Sequence, residues 1–163
     1  MVRVDRAVLA VLERRGKRRF GRTKLMKCLY FLKTVGKLNL EVEFNLHTWG
    51  PFAAEVLSAR DRLSESGQIA EICPTGDDGF DLSISDGAKS GVTFDDSQEA
   101  ILKELVEKSA SELEAISTLH YVSASIGKKS KEEVINRVKR IKPYFTMAEL
   151  ERYWEWLSAK GWV

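Results

Sequence analysis

Cysteine is nearly missing from this chain: Cys28 and Cys73 are the only two in 163 residues. They stand far apart and neither belongs to a CxxC or Cys/His cluster, so the chain carries the signature of neither a zinc site nor a disulfide framework. A reduced, cytoplasmic setting is the matching expectation. Histidine is equally scarce, with His47 and His120 alone, and no GxSxG, HExxH, P-loop or GxGxxG stretch accompanies them. Both histidines therefore read as structural, and no catalytic, metal or cofactor constellation is expected. No apolar run approaches the roughly 20 residues that a membrane span needs, and the N-terminus has no signal-like apolar core. Membrane partners are excluded from the expectation. At this length one domain, 1–163, can bury about two thirds of its unfolded surface without a metal or disulfide.

Charge is plentiful but unevenly placed. Residues 1–40 hold 12 Lys/Arg against 2 Asp/Glu, residues 41–114 hold 5 against 17, and residues 115–163 hold 9 against 5. The net charges of these three stretches are thus +10, −12 and +4. Such asymmetry marks a surface for nucleic acid or an acidic partner, or else two opposite faces that hold the fold or a dimer together. The densest cations are Arg14, Arg15, Lys17, Arg18, Arg19, Arg22, Lys24 and Lys27, eight within fourteen positions. They repel one another unless an external anion or the acidic middle segment compensates them. This set is the candidate partner- or phosphate-binding surface, with a solvated turn as the alternative.

Apolar spacing predicts helices over 3–15, 22–35 and 51–66, stopped at Gly16, Gly36 and Gly67. On the second helix Leu25, Met26, Leu29 and Leu32 form the inner face, and Lys24 and Lys27 are expected to point to water. Pro51 suits the first turn of the third helix, and the connector before it offers a short strand at Phe44, Leu46 and Thr48. Residues 68–73 and 80–84 alternate as strands around a turn at 74–79, which reads as a β-hairpin. Helix, helix, helix and hairpin in this order give a winged-helix-like half, 1–84, with the hairpin as wing. A polar linker follows, and 95–163 reads as a helical half. Its capping boxes are expected at Ser111/Glu114, Ser130/Glu133 and Thr146/Glu149, opening helices over 112–124, 131–141 and 147–160 after a first one near 97–109. The fold class is α+β, mainly α.

Aromatics gather at two places. Tyr30, Phe31, Trp49 and Phe52 are expected to wedge between the second and third helices as core. On the last helix Met147, Leu150, Trp154 and Leu157 define the inward stripe, which leaves Trp156, with Trp162 beyond the helix, as a candidate interface for a partner or a homodimer; simple C-terminal packing is the alternative.

The segments RTKLMKCLYFL, HTWGPFAAEV, RLSESGQI, LHYVS and KPYF resemble those of the small YwgA family. There a K-L-x-K-x-x-Y-x-L helix precedes an aromatic-Gly-Pro-aromatic turn and a helix ending in G-x-I. More distantly the chain is similar to the SocA-type antitoxin (Panacea) domain, which shares the helix and the Gly-Pro turn. The matching positions are Lys24, Leu25, Lys27, Tyr30, Trp49, Gly50, Pro51, Phe52, Gly67, His120, Lys142 and Pro143. After the helix that ends near Ser123 the chain departs from the antitoxin pattern, which has an acidic residue and a Trp following the His. The resemblance implies a protein that acts through protein partners. A negatively charged third helix and an acidic wing argue against ordinary winged-helix docking on DNA, because phosphate contacts supply most non-specific affinity. The expectation is a non-enzymatic, regulatory binding module for an acidic protein partner, antitoxin- or adaptor-like. A winged-helix DNA-binding regulator is the alternative.

Overall fold

The computed structural model describes residues 1–73, 79–125, 127 and 130–163. Among them the protein is α+β and mainly helical, with seven helices and two small antiparallel hairpins. The order is α1 (Val4–Glu13), α2 (Arg22–Thr34), β1 (Asn45–His47), β2 (Gly50–Phe52), α3 (Ala54–Glu65), β3 (Ile69–Ile72) and β4 (Asp81–Ile84). Four helices follow: α4 (Asp96–Val106), α5 (Ala110–Ser125), α6 (Lys131–Ile141) and α7 (Met147–Ala159).

Three helices are buried nearly all round. Residues 7–12 of α1, 24–32 of α2 and 113–120 of α5 are each an unbroken run of buried positions. Such helices have no water-facing stripe and must be covered on several sides. α2 packs against α1, α4, α5 and β2, and α5 against α2, α6, α7 and β2. Buried apolar side chains from all seven helices join one cluster. The expectation that Lys24 and Lys27 point to water is therefore wrong: they are 5% and 2% exposed, because the face on which they lie is roofed by α4 and by the first hairpin.

That hairpin is the main departure from the sequence reading. Residues 50–52 form a strand, and the third helix starts only at Ala54. Pro51 stands opposite Leu46 in the register. Lacking an N–H, it fits a pair that exchanges no ladder hydrogen bonds. Gly50 has φ +93, and a Cβ there would lie 3.0 Å from Thr118 Oγ1 and 3.2 Å from Ser117 Oγ on α5. Positive φ and close packing both require glycine at this position.

The second hairpin pairs Ile69 with Ile84 and Ile72 with Asp81. Its turn, including Pro74, Asp77 and Asp78, lies outside the described residues. The strands are pinned to the core rather than projecting from it: Leu82 N–H donates to the Phe20 carbonyl and Phe20 N–H to Asp81 Oδ1, both at 2.8 Å.

Helix starts in the C-terminal half follow the capping logic with one shift. Thr146 and Glu149 form a full box, and Ser130 accepts from the Glu133 N–H. The box that opens α5 is Ser109/Glu112, not Ser111/Glu114; Glu114 is instead turned inward and 5% exposed. Asp95 and Gln98 add a box at α4. At the C-terminus Trp162 folds back, its N–H donating to Leu157 O at 3.0 Å and its ring 5.2 Å from that of Phe31. None of the described helices is long and apolar enough to cross a membrane.

Candidate functional site

The eight clustered cations do not form one open surface. Arg14 Nε sits 2.7 Å from Glu99 Oε1, and its guanidinium stacks 4.6 Å from the Phe94 ring. Arg15 pairs with Asp81 at 2.7 Å and donates to the Leu82 carbonyl. Arg18 donates to the carbonyl of Glu107, and Arg22 grips Glu71 through two bonds of 2.5 and 2.9 Å. Glu71 also receives Arg60 at 3.2 Å, and the Arg22 hydrogen bonds hold its carboxyl below the usual carboxylate range. Lys24 Nζ donates to Val106 O at 3.0 Å and to Arg19 O at 3.2 Å. Burial lowers its pKa. The acidic middle segment thus neutralises much of the cluster from within. Lys17, Arg18, Arg19 and Arg22 remain exposed. Arg18, Arg19, Arg22 and Lys24 line an open cavity of about 470 Å³ beside Phe80, whereas Lys27 belongs to a different part of the molecule.

That part is the seat of the first hairpin. Lys27 Nζ reaches up from α2 and donates to the Pro51 carbonyl at 2.7 Å. From the C-terminal end of α6, Lys142 Nζ donates to the Thr48 carbonyl and pairs with Glu114 Oε1 of α5 at 2.9 Å. The Tyr144 hydroxyl donates to the same carboxylate oxygen. Lys139 Nζ in turn holds the carbonyls of Pro143 and Phe145 at 2.6 and 2.7 Å. Three ammonium groups therefore clamp the main chain on both sides of two aromatic residues. Lys27 and Lys142 are 2% exposed and Glu114 5%, so this is a low-dielectric network in which each charge needs its partner. Burial lowers the Lys27 pKa to about 7; Glu114 opposes that fall and Lys142 adds to it.

The side chains presented by this frame are large and solvent-facing. Trp49, at the hairpin turn, is 63% exposed and Tyr144 58%. The expected core wedge holds for Phe31 and Tyr30 but not for Trp49: with Gly50 pressed onto α5, the preceding residue points away from the protein. Phe52 is half-buried under the exposed His47, their rings 4.6 Å apart. Behind the hairpin, Tyr30 OH and His120 Nδ1 are 2.7 Å apart, and burial lowers the His120 pKa to about 4.

Of the positions noted in the sequence, Lys27, Gly50, Pro51 and Lys142 meet at this seat, and Tyr30 and His120 are bonded to each other behind it. Glu114, expected only as a helix cap, and Tyr144, noted only as part of the KPYF segment, complete the seat. Glu114 had a signal, since it is the only charged residue between 113 and 127, a carboxylate inside an otherwise buried helix. Trp156 and Trp162, the expected interface pair, are both partly buried and packed on the core. Their rings meet edge to face at 5.2 Å, and Lys108 and Lys160 lie 4.3 and 5.7 Å from the Trp156 ring. These contacts fit the alternative of simple C-terminal packing, and both rings keep part of their surface in water.

Among the described residues no group of three or more His, Cys, Asp or Glu is placed to hold a metal ion. No family model matches the chain, and no curated protein matches it.

Proposed function

We propose that the chain is a non-enzymatic binding module that acts through a protein partner in a regulatory, adaptor- or antitoxin-like role. One observation carries this reading: Trp49 and Tyr144 stand out into solvent on main chain that buried charges hold in place. Exposed aromatics on a rigid frame lose little entropy on binding and are the side chains most enriched among residues that dominate interface energies. Lys27, Lys142 and Glu114 are spent on fixing backbone carbonyls and the Tyr144 hydroxyl, a positioning role rather than a reactive one.

Residues 1–84 are read as a winged-helix-like half with an extra hairpin inserted before the third helix. In that half the surfaces needed for DNA are committed elsewhere. Arg60 of α3 is buried against Glu71, and Arg62 pairs with Asp5 at 2.5 Å. The strands of the wing are pinned through Asp81 and Glu71. These engagements favour a protein partner over the DNA-binding alternative.

The test compares the parent with a Trp49→Ser variant whose circular dichroism and melting curve match it, Tyr144 being kept because its hydroxyl also serves the buried Glu114. A protein retained by the parent and lost by the variant should, once purified, bind the parent alone in calorimetry. Equal retention by both, or steeply salt-dependent binding of random duplex that the variant preserves, would overturn the reading.

A further inference from the structure

We infer that the protein partner attaches by laying an extended segment along the outer edge of β1, adding a third strand to the first hairpin. The inference rests on the reading of the chain as a module for a protein partner and adds the manner of attachment. In an antiparallel ladder, both main-chain groups of a residue in a non-hydrogen-bonded pair point away from the neighbouring strand. Leu46 stands opposite Pro51, which has no N–H to exchange, and is therefore in such a pair. The outward carbonyl of Pro51 accepts from Lys27 Nζ at 2.7 Å, so the β2 edge is closed by α2. The β1 edge is open: among the described residues neither the N–H nor the carbonyl of Leu46 has a hydrogen-bond partner, and the same holds for Phe44 two positions earlier.

Residues 41–47 alternate in burial, with Val42 buried, Phe44 and Leu46 half-buried, and Glu41, Glu43, Asn45 and His47 on the water side. That is the pattern of an extended chain, so the outward main-chain groups of Phe44 and Leu46 recur at strand spacing. Residues 44–47 include no proline and no Lys, Arg, Asp or Glu of the kind that shields exposed edges. A row of alternating donors and acceptors at this spacing is matched by another polypeptide main chain. Residues 42–45 also form a wall of an open cavity of about 390 Å³, together with Tyr30 of α2 and Tyr121 and Ala124 of α5. The Phe44 and Tyr30 rings lie 5.3 Å apart beside it. Side chains directly opposite each other in a ladder share a face, so residues of the added strand opposite Phe44 and Leu46 would point inward, as those two do. Main-chain pairing joined to a pocket for alternate side chains is how added strands gain affinity and specificity. Lys33 and Glu43 both line the cavity, so it selects size and apolarity rather than one sign of charge.

The experiment selects random twelve-residue peptides displayed on phage against the full-length parent, then counter-selects on Leu46→Pro. That substitution removes the outward N–H and none of the β1–β2 ladder bonds; Leu46→Val keeps the N–H and controls for the change of side chain. Enriched peptides should carry large apolar residues at alternate positions. The best of them, made synthetically, should bind Leu46→Val nearly as well as the parent and lose about tenfold or more in affinity against Leu46→Pro. On binding, hydrogen exchange at the Phe44 and Leu46 amides of the parent should slow by about tenfold or more. N-methylation walked along the peptide should weaken binding at every second position. These last two measurements use the parent alone and hold even if Leu46→Pro folds poorly. Peptides that survive the first selection but not the second, binding that leaves exchange at Phe44 and Leu46 unchanged, or a methylation scan without the two-residue period would overturn strand addition and leave the chain a module for a protein partner. A parent that dimerises through these same amides would give the edge to a second copy and overturn it as well. If the parent enriches no peptide in the first selection, both readings fall.

Discussion

Burial of His120 should make this fold less stable as the pH falls from about 6.5 to about 4. Its imidazole is 8% exposed, packs against the rings of Tyr30 and Phe31 at 5.4 and 5.3 Å, and meets the Tyr30 hydroxyl at Nδ1. Desolvation, with a smaller push from Lys37, lowers its pKa from the ordinary 6.5 to about 4. In the unfolded chain the ring takes up a proton near pH 6.5, whereas in the fold it stays neutral until about pH 4. Between those values the unfolded state binds more protons, so stability falls as the pH falls. The gap corresponds to about 3 kcal/mol lost across that window, a large part of a typical domain's total. The paired carboxylates of Asp5, Glu13, Glu71 and Asp81, whose pKa values are held down, lose their contribution only at lower pH, beneath their unfolded values. Urea titrations from pH 7.5 to 4.5 should show the decline, and His120→Gln should flatten it. An NMR titration that places the His120 midpoint near 6.5, or a His120→Gln variant with an unchanged pH slope, would refute the argument.

Three further outcomes are expected. Trp49→Ala should cost less than about 1 kcal/mol in denaturant titration, against the roughly 3 to 5 kcal/mol of a core tryptophan, because the indole is mostly in water. Lys142→Met should cost about 3 to 5 kcal/mol by leaving Glu114 buried without its cation, and adding Glu114→Leu should recover part of the loss; a double variant no better than the single would contradict the pairing. Gly50→Ala should destabilise by about 2 kcal/mol or more, combining the strain of positive φ with the approach to Thr118, and a melting temperature equal to the parent's would show that the hairpin does not rest on α5 in this way.

Most helices were legible because glycines, capping hydroxyls and apolar spacing act locally. The bounds of α1, α2, α6 and α7 fall within a residue or two of those expected from Gly16, Gly36, Ser130 and Thr146. Two errors had a common origin. Pro51 is as well suited to an unpaired strand position as to a helix start, and only contact with α5 decides between them. Lys24 and Lys27 read as a polar face because charge normally goes to water; here they bury their stems and cap distant carbonyls, a long-range arrangement that no local pattern encodes. The same holds for the basic cluster, whose acidic partners come from residues 71, 81 and 99. For the candidate site, Gly50, Pro51 and Lys142 were among the positions noted in the sequence, but the outward display of Trp49 was not legible there. Nothing in the spacing of an aromatic residue before Gly-Pro tells which way it faces.

The frame beneath Trp49 also ties the fixing of the first hairpin to a much later part of the chain. Thr48 and Lys142 are 94 positions apart, so the hairpin is anchored at its turn only after α6 has been made. During synthesis from the N-terminus a chain that ends before α6 would carry Glu114 without its cation and the Thr48 carbonyl without its donor. Contacts of such long separation close late in folding. A partially made or proteolytically shortened copy would consequently hold Trp49 on a loose loop and, on the proposed reading of that face, compete poorly for a partner.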